Sequence, residues 1–101
     1  MDERRLELSR IFKEILGNSN VYFQPTNNTR MSYPAIVYSR KRIENTFADN
    51  RVYNQRTGYE VIVIDKNPDS EYVYKLAQLP NCRHDRHYVS DNLYHDAFTL
   101  Y

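Results

Sequence analysis

The stretch "YEVIVIDK", residues 59–66, constrains this chain more than any other. β-Branched and aromatic residues fill it, so it reads as a strand. Side chains alternate along a strand, which sends Tyr59, Val61 and Val63 to one side and Ile62 and Ile64 to the other. Both sides are apolar. The strand in "YPAIVYSRKRIE", residues 33–44, repeats the pattern, with Ala35 and Val37 on one side and Ile36 and Tyr38 on the other. A sheet built around these strands needs cover on both faces.

The rest of the chain offers limited cover. Its 101 residues make one domain, 1–101. Leu8, Ile11, Phe12, Ile15 and Leu16 recur at helical spacing, with Asp2 placed to cap, Glu3 in the first turn and Gly17–Asn18 at the end. A second helix fits "NPDSEYVYKLAQLP", residues 67–80: Asn67 is its cap, Pro68 suits the first position, and Pro80 forbids continuation. "NVYFQP" is a short strand stopped by Pro25, and "NTFADNRVYNQRTG", residues 45–58, reads as a long polar connection. The closing "CRHDRHYVSDNLYHDAFTLY" alternates on either side of "SDN" and reads as a hairpin. The order is α-β-β-β-α-β-β, a small α+β domain whose mixed sheet is mostly antiparallel. We expect both helices on one face and copies of the same chain over the other. The competing arrangement divides the helices between the faces.

Ten tyrosines, and arginine as ten of the fourteen basic residues, favour a protein-contact role, because these residue types concentrate at interfaces. Phe47, Arg51, Val52, Tyr53 and Arg56 in the long connection are anchor-type side chains without a local core, and they are the expected interface residues.

Other classes are disfavoured. A net charge of +1 gives no electrostatic case for gripping nucleic acid. One cysteine makes no internal disulfide, so a reducing compartment is the default. No stretch is long and apolar enough to span a bilayer, and "MDERRLELSR" lacks the apolar core of a signal peptide. Two glycines leave no phosphate-cradling loop. Cys82, His84, Asp85 and His87 resemble metal ligands, but regular alternation puts Cys82, His84 and Arg86 on one side and Arg83, Asp85 and His87 on the other. His95 and Asp96 divide likewise. Cys82 has no helix N-terminus to activate it and reads as a small buried hydrophobe. The expectation is no catalytic, cofactor or metal residue and no enzyme, with Asp85 paired to Arg83 or Arg86 and Asp96 to His95.

"YPAIVYSR", "ADN", "YEVIVIDKNPDSE" and "LPNCRHDRHYVSDNLYHDAFTLY" together resemble the small tail-completion proteins of long-tailed phages and prophages of Gram-positive bacteria. The resemblance runs from Val21 to Tyr101, with a compatible leading helix. Its specific parts are the "VID-x-(D/N)-PDS" turn, where Asn67 stands in place of the family's Asp, and the long ending after Leu79–Pro80. That family is similar to the tail terminators of lambda-like phages. The resemblance implies an α+β fold and a homo-hexameric ring at the head-proximal end of the tail tube. Such a ring ends tube polymerisation and joins the tail to the head connector, while DNA passes through the lumen unread. It also implies a virion location after assembly in host cytoplasm, no membrane, no cofactor and no catalytic residues. Asp65, Pro68, Asp69, Asp85, Arg86, Asp91, Asn92, His95 and Asp96 are then turn, capping and hairpin groups. The competing readings are a head-closure or connector protein, a small nuclease using His84, His87 or His95, and a monomeric RNA-binding domain with tyrosine stacking platforms.

Overall fold

The computed structural model describes residues 3–26, 29–48 and 51–101, with backbone alone described between 42 and 56. Helix α1 spans Glu3–Leu16 and is followed by strands β1 (Val21–Phe23), β2 (Ala35–Ala48) and β3 (Arg51–Asp65). Helix α2 (Glu71–Ala77) then leads to β4 (Cys82–Ser90) and β5 (Leu93–Leu100). The element order is the expected one. The strands form one five-stranded sheet in the order β1-β2-β3-β5-β4, with β1 parallel to β2 and every other pairing antiparallel.

The apolar stripe of α1 makes the core on one face. Leu8, Phe12 and Leu16 are buried against Ile36, Tyr38, Tyr59, Val61, Val63, Phe98 and Leu100. Gly17, at φ +74°, closes the helix in the left-handed conformation, and its N–H reaches the Lys13 carbonyl at 2.9 Å. Asp2, read as the cap, lies outside the described residues. Tyr38 ties helix to sheet. Its ring meets Phe12 edge-on at 5.2 Å and Phe23 at 4.9 Å. Its hydroxyl donates to the Arg5 carbonyl at 3.0 Å and shares a second hydrogen bond with Ser9 Oγ. Leu76 of α2 enters the same cluster, so both helices roof one face, as expected.

The second face carries no described helix. In register across it run Ala35, Ile64, His95 and Tyr88, and beside them Val37, Ile62, Ala97 and Arg86. Ala35, Ile64 and Ala97 are buried within the lone chain, while Val37 and Ile62 stay half-buried. This face is therefore less open than a bare apolar sheet, and its unroofed part is a narrow stripe.

Two sequence expectations change. Of the expected connection over residues 45–58, positions 49 and 50 lie outside the described residues and the rest is strand: β2 and β3 stay paired from Ala35↔Ile64 out to Ala48↔Arg51. β1 reaches only Tyr38 and β5 only Tyr59, so residues 42–48 and 51–57 form a two-stranded arm of about 20 Å at the usual strand rise. The domain is correspondingly elongated, 50 × 25 × 24 Å. Gly58 is not a turn residue but sits where the arm leaves the sheet. The Tyr101 ring lies so close there that an added Cβ would stand 2.9 Å from it. Asn67, expected as a helix cap, instead belongs to two linked turns: its N–H bonds Asp65 Oδ1 at 3.2 Å, and its own Oδ1 accepts from Asp69 N–H at 2.9 Å. The residue before α2 is Ser70.

Removing the Phe12 ring should cost about 3–5 kcal/mol of stability in urea unfolding, as expected for a buried aromatic truncated to alanine. Tyr38→Phe, which keeps the ring and loses the hydroxyl bonds, should cost about 1 kcal/mol.

Candidate functional site

The polar residues of the closing hairpin converge through one extra residue. The turn at Asp91 and Asn92 has φ of 52° and 62°, the double left-handed geometry of a two-residue hairpin loop. It pins Ser90↔Leu93, Val89↔Tyr94, Tyr88↔His95, His87↔Asp96 and Arg86↔Ala97. The next pair is His84↔Phe98, and Asp85 has no partner. Asp85 is thus a β-bulge, and bulged strands put two residues opposite one.

That extra residue corrects the expected division of the hairpin. His84 and His87 do not fall on opposite sides. Both stand on the helix-covered face, beside Phe98 and Asp96, while Arg86 turns to the other face beside Ala97. Asp96 pairs with these two histidines rather than with His95. His84 Nε2 and His87 Nδ1 each approach Asp96 Oδ1 at 3.0 Å. His84 is held edge-on to Phe98 at 5.1 Å and His87 is stacked on Tyr94 at 6.0 Å. His95 bonds the Leu93 carbonyl through Nδ1 and stacks on Tyr88 at 4.9 Å. It takes no part in the cluster.

Asp96, 7% exposed, is the one buried carboxylate among the described residues. It lines a cleft of about 430 Å³ between the hairpin and α2, together with His84, His87, Pro68, Ser70, Val73, Tyr74 and Ala77. Ser70 Oγ is buried there without a hydrogen-bond partner among the described residues. Among the described residues, no group of three His, Cys, Asp or Glu side chains is placed to hold a metal ion.

A second polar cluster occupies the other face. Thr99 Oγ1 donates to Asp85 Oδ2 at 2.6 Å, Arg83 Nε donates to Asp85 Oδ1 at 3.1 Å, and Lys41 Nζ donates to Thr99 Oγ1 at 3.1 Å. Lys41 sits at the register shift of β2, so two irregular strand positions meet at one threonine. The Asp85–Arg83 pair is the expected one. The Thr99 hydroxyl, then the Arg83 guanidinium, hold the Asp85 carboxyl below its ordinary 3.8. A carboxyl depressed in the folded state adds stability above its unfolded pKa, and that stability is lost as pH falls through the folded value. Cys82 packs beside the core, where burial and then the Asp85 charge raise its thiol to about 11. It carries little thiolate near neutrality, which makes it a weak nucleophile.

Sequence reasoning missed His84, His87, Asp96 and Ser70 as a group. The bulge shows only once the two strands are paired: β4 has nine residues and β5 has eight, so one residue is extra when both ends are in register. Phe47, Arg51, Val52, Tyr53 and Arg56 all fall on the arm. Phe47 pairs with Val52 and Glu44 with Arg56 in register, and the side chains of these five residues lie outside the described ones. Compared with known proteins, the chain matches no family model, no curated protein and no solved structure.

Asp96→Asn should shift the imidazole nitrogen resonances of His84 and His87 and leave those of His95 in place, read by long-range proton–nitrogen NMR. Asp85→Asn should flatten the loss of stability on the acid side, below about pH 4, where wild type loses the contribution of this carboxylate. Cys82 should react with a disulfide reagent only slowly in mildly alkaline buffer and at full rate after unfolding.

Proposed function

We propose that the chain is a structural subunit of a phage tail. It forms a homo-oligomeric ring, a hexamer by the family resemblance, at the head-proximal end of the tail tube. The ring ends tube polymerisation and joins the tube to the head connector, and DNA passes through its lumen without specific binding. No catalytic step belongs to this role.

The observation that carries the reading is the β2–β3 arm. Residues 42–48 and 51–57 extend beyond every other described strand. An isolated two-stranded ribbon is marginal in water. A ribbon projecting from a domain gains stability by lying on something, and in a ring the neighbour is always within reach. Head-to-tail contact of this kind uses two different patches, one on each subunit. The arm supplies one. The stripe of Tyr22, Val37 and Ile62 on the face without a described helix supplies the other. Its edge carries Arg86, whose guanidinium lies 4.8 Å from the Tyr88 ring centroid, an arrangement typical of contact surfaces. The place in the virion is what the resemblance of two motifs to the tail-completion family implies. Described residues contain no helix long and apolar enough to cross a membrane.

Arg51→Glu and Tyr53→Ala test the role of the arm. Both variants should keep the wild-type circular dichroism spectrum and melting temperature, yet should fail to limit tail-tube length in electron micrographs of assembly mixtures. Normal capping by both variants contradicts the role given to the arm. Binding to filled heads instead of tail tubes would assign the chain to the connector side.

A further inference from the structure

Asp96 sits where an apolar residue would be easiest to place. Its register neighbours on that face are Val63 and His87, and Phe98 lies two residues along the strand on the same face. Withdrawing a carboxylate from water costs several kcal/mol unless its oxygens are bonded. Two imidazoles satisfy one oxygen, Oδ1, and fix the orientation of the group. Among the described residues, no hydrogen bond reaches Oδ2. Ser70, only 4% exposed, lines the same cleft, and its buried Oγ is likewise without a described partner. One buried anion and one buried hydroxyl thus share a cleft whose remaining wall is Pro68, Val73 and Ala77, with Tyr74 exposed at its rim.

These features select a ligand. An anion meets the Asp96 charge and is repelled. A neutral apolar group leaves both oxygens unbonded, which is costly for buried polar atoms. A metal ion lacks a third placed ligand among the described residues. A cation with several N–H donors compensates the carboxylate, reaches the serine oxygen, and can lay an alkyl stem along Val73 and Ala77. Guanidinium suits this best, because its planar fork donates to two acceptors at once and also stacks on aromatic faces. We propose that the cleft between α2 and the β4–β5 hairpin is a binding site for a guanidinium or primary ammonium group carried on a short apolar stem. The site stands on the geometry of the single chain and does not depend on ring assembly. Its ligand is either a small free compound or an arginine or lysine side chain of a second copy.

Butylguanidinium is the probe, titrated into the full chain and followed by amide NMR, with butylurea as the uncharged match in shape. Saturable shifts at Val73 and Ala77 are expected with butylguanidinium, at an affinity at least about tenfold above butylurea, as for loss of one charge-assisted bond. Asp96→Asn keeps an acceptor for both imidazoles and removes the charge. It should weaken the probe about tenfold, and Ser70→Ala, which leaves the histidine cluster intact, several-fold. No saturable shift, equal binding of butylurea, or full affinity in both variants overturns the assignment. Light scattering in the same titration separates the sources: a fall in molar mass as the probe binds identifies a side chain of a second copy, and an unchanged mass identifies a small compound.

Discussion

The structure depends on the inner half of β3, paired on both edges from Tyr59 to Ile64 and apolar on both faces, with the described helices on only one side. It is bonded to β2 along one edge and β5 along the other, and Val61 and Val63 are almost wholly buried beneath α1 and α2. At about 25 cal/mol per Å² of apolar surface, that face is the main source of stability in a domain this small. Once both helices are committed to it, the other face must be closed by side chains alone. Small residues, Ala35 and Ala97, and the stacked Tyr88–His95 pair do part of this. What is left is a stripe around the half-buried Val37 and Ile62.

The hairpin adds a second constraint. The two-residue turn fixes the register at one end, and Cys82↔Leu100 fixes it at the other. With strands of unequal length, one residue is forced out, and Asp85 is stabilised in that position by Thr99 and Arg83. The consequence on the opposite face is chemical: two histidines meet one buried carboxylate instead of facing away from each other. A device that settles strand register on one side of the sheet therefore builds a polar cleft on the other.

Most of the fold was legible because its signals are local. The stripe of α1, the alternation of β3, and the "SDN" turn each depend on a few adjacent residues whose periodicity or left-handed preference is strong. The arm was not legible. Residues 45–58 are rich in Asn, Thr and Arg and show no sustained apolar alternation to read as a strand. The bulge was invisible for a related reason: it is a mismatch between strands, and alternation counted along one strand assumes there is none. Ser70 was overshadowed by Asn67, which has a comparable capping preference three residues earlier and is used in a turn. The candidate cleft therefore emerged only when both strands of the hairpin and the start of α2 were placed together.

The assembly reading joins these parts. A domain with one roofed face, a protruding ribbon and near-zero net charge is suited to close repetition of identical copies, and a ring of them needs no chemistry beyond complementary patches. Its most direct test is the molar mass of the wild-type chain in solution, measured by light scattering over a range of concentrations, alone and with tail-tube protein. The account predicts a discrete closed oligomer, present either at high concentration or once tubes are added. A chain that stays monomeric at every concentration and ignores the tube contradicts it.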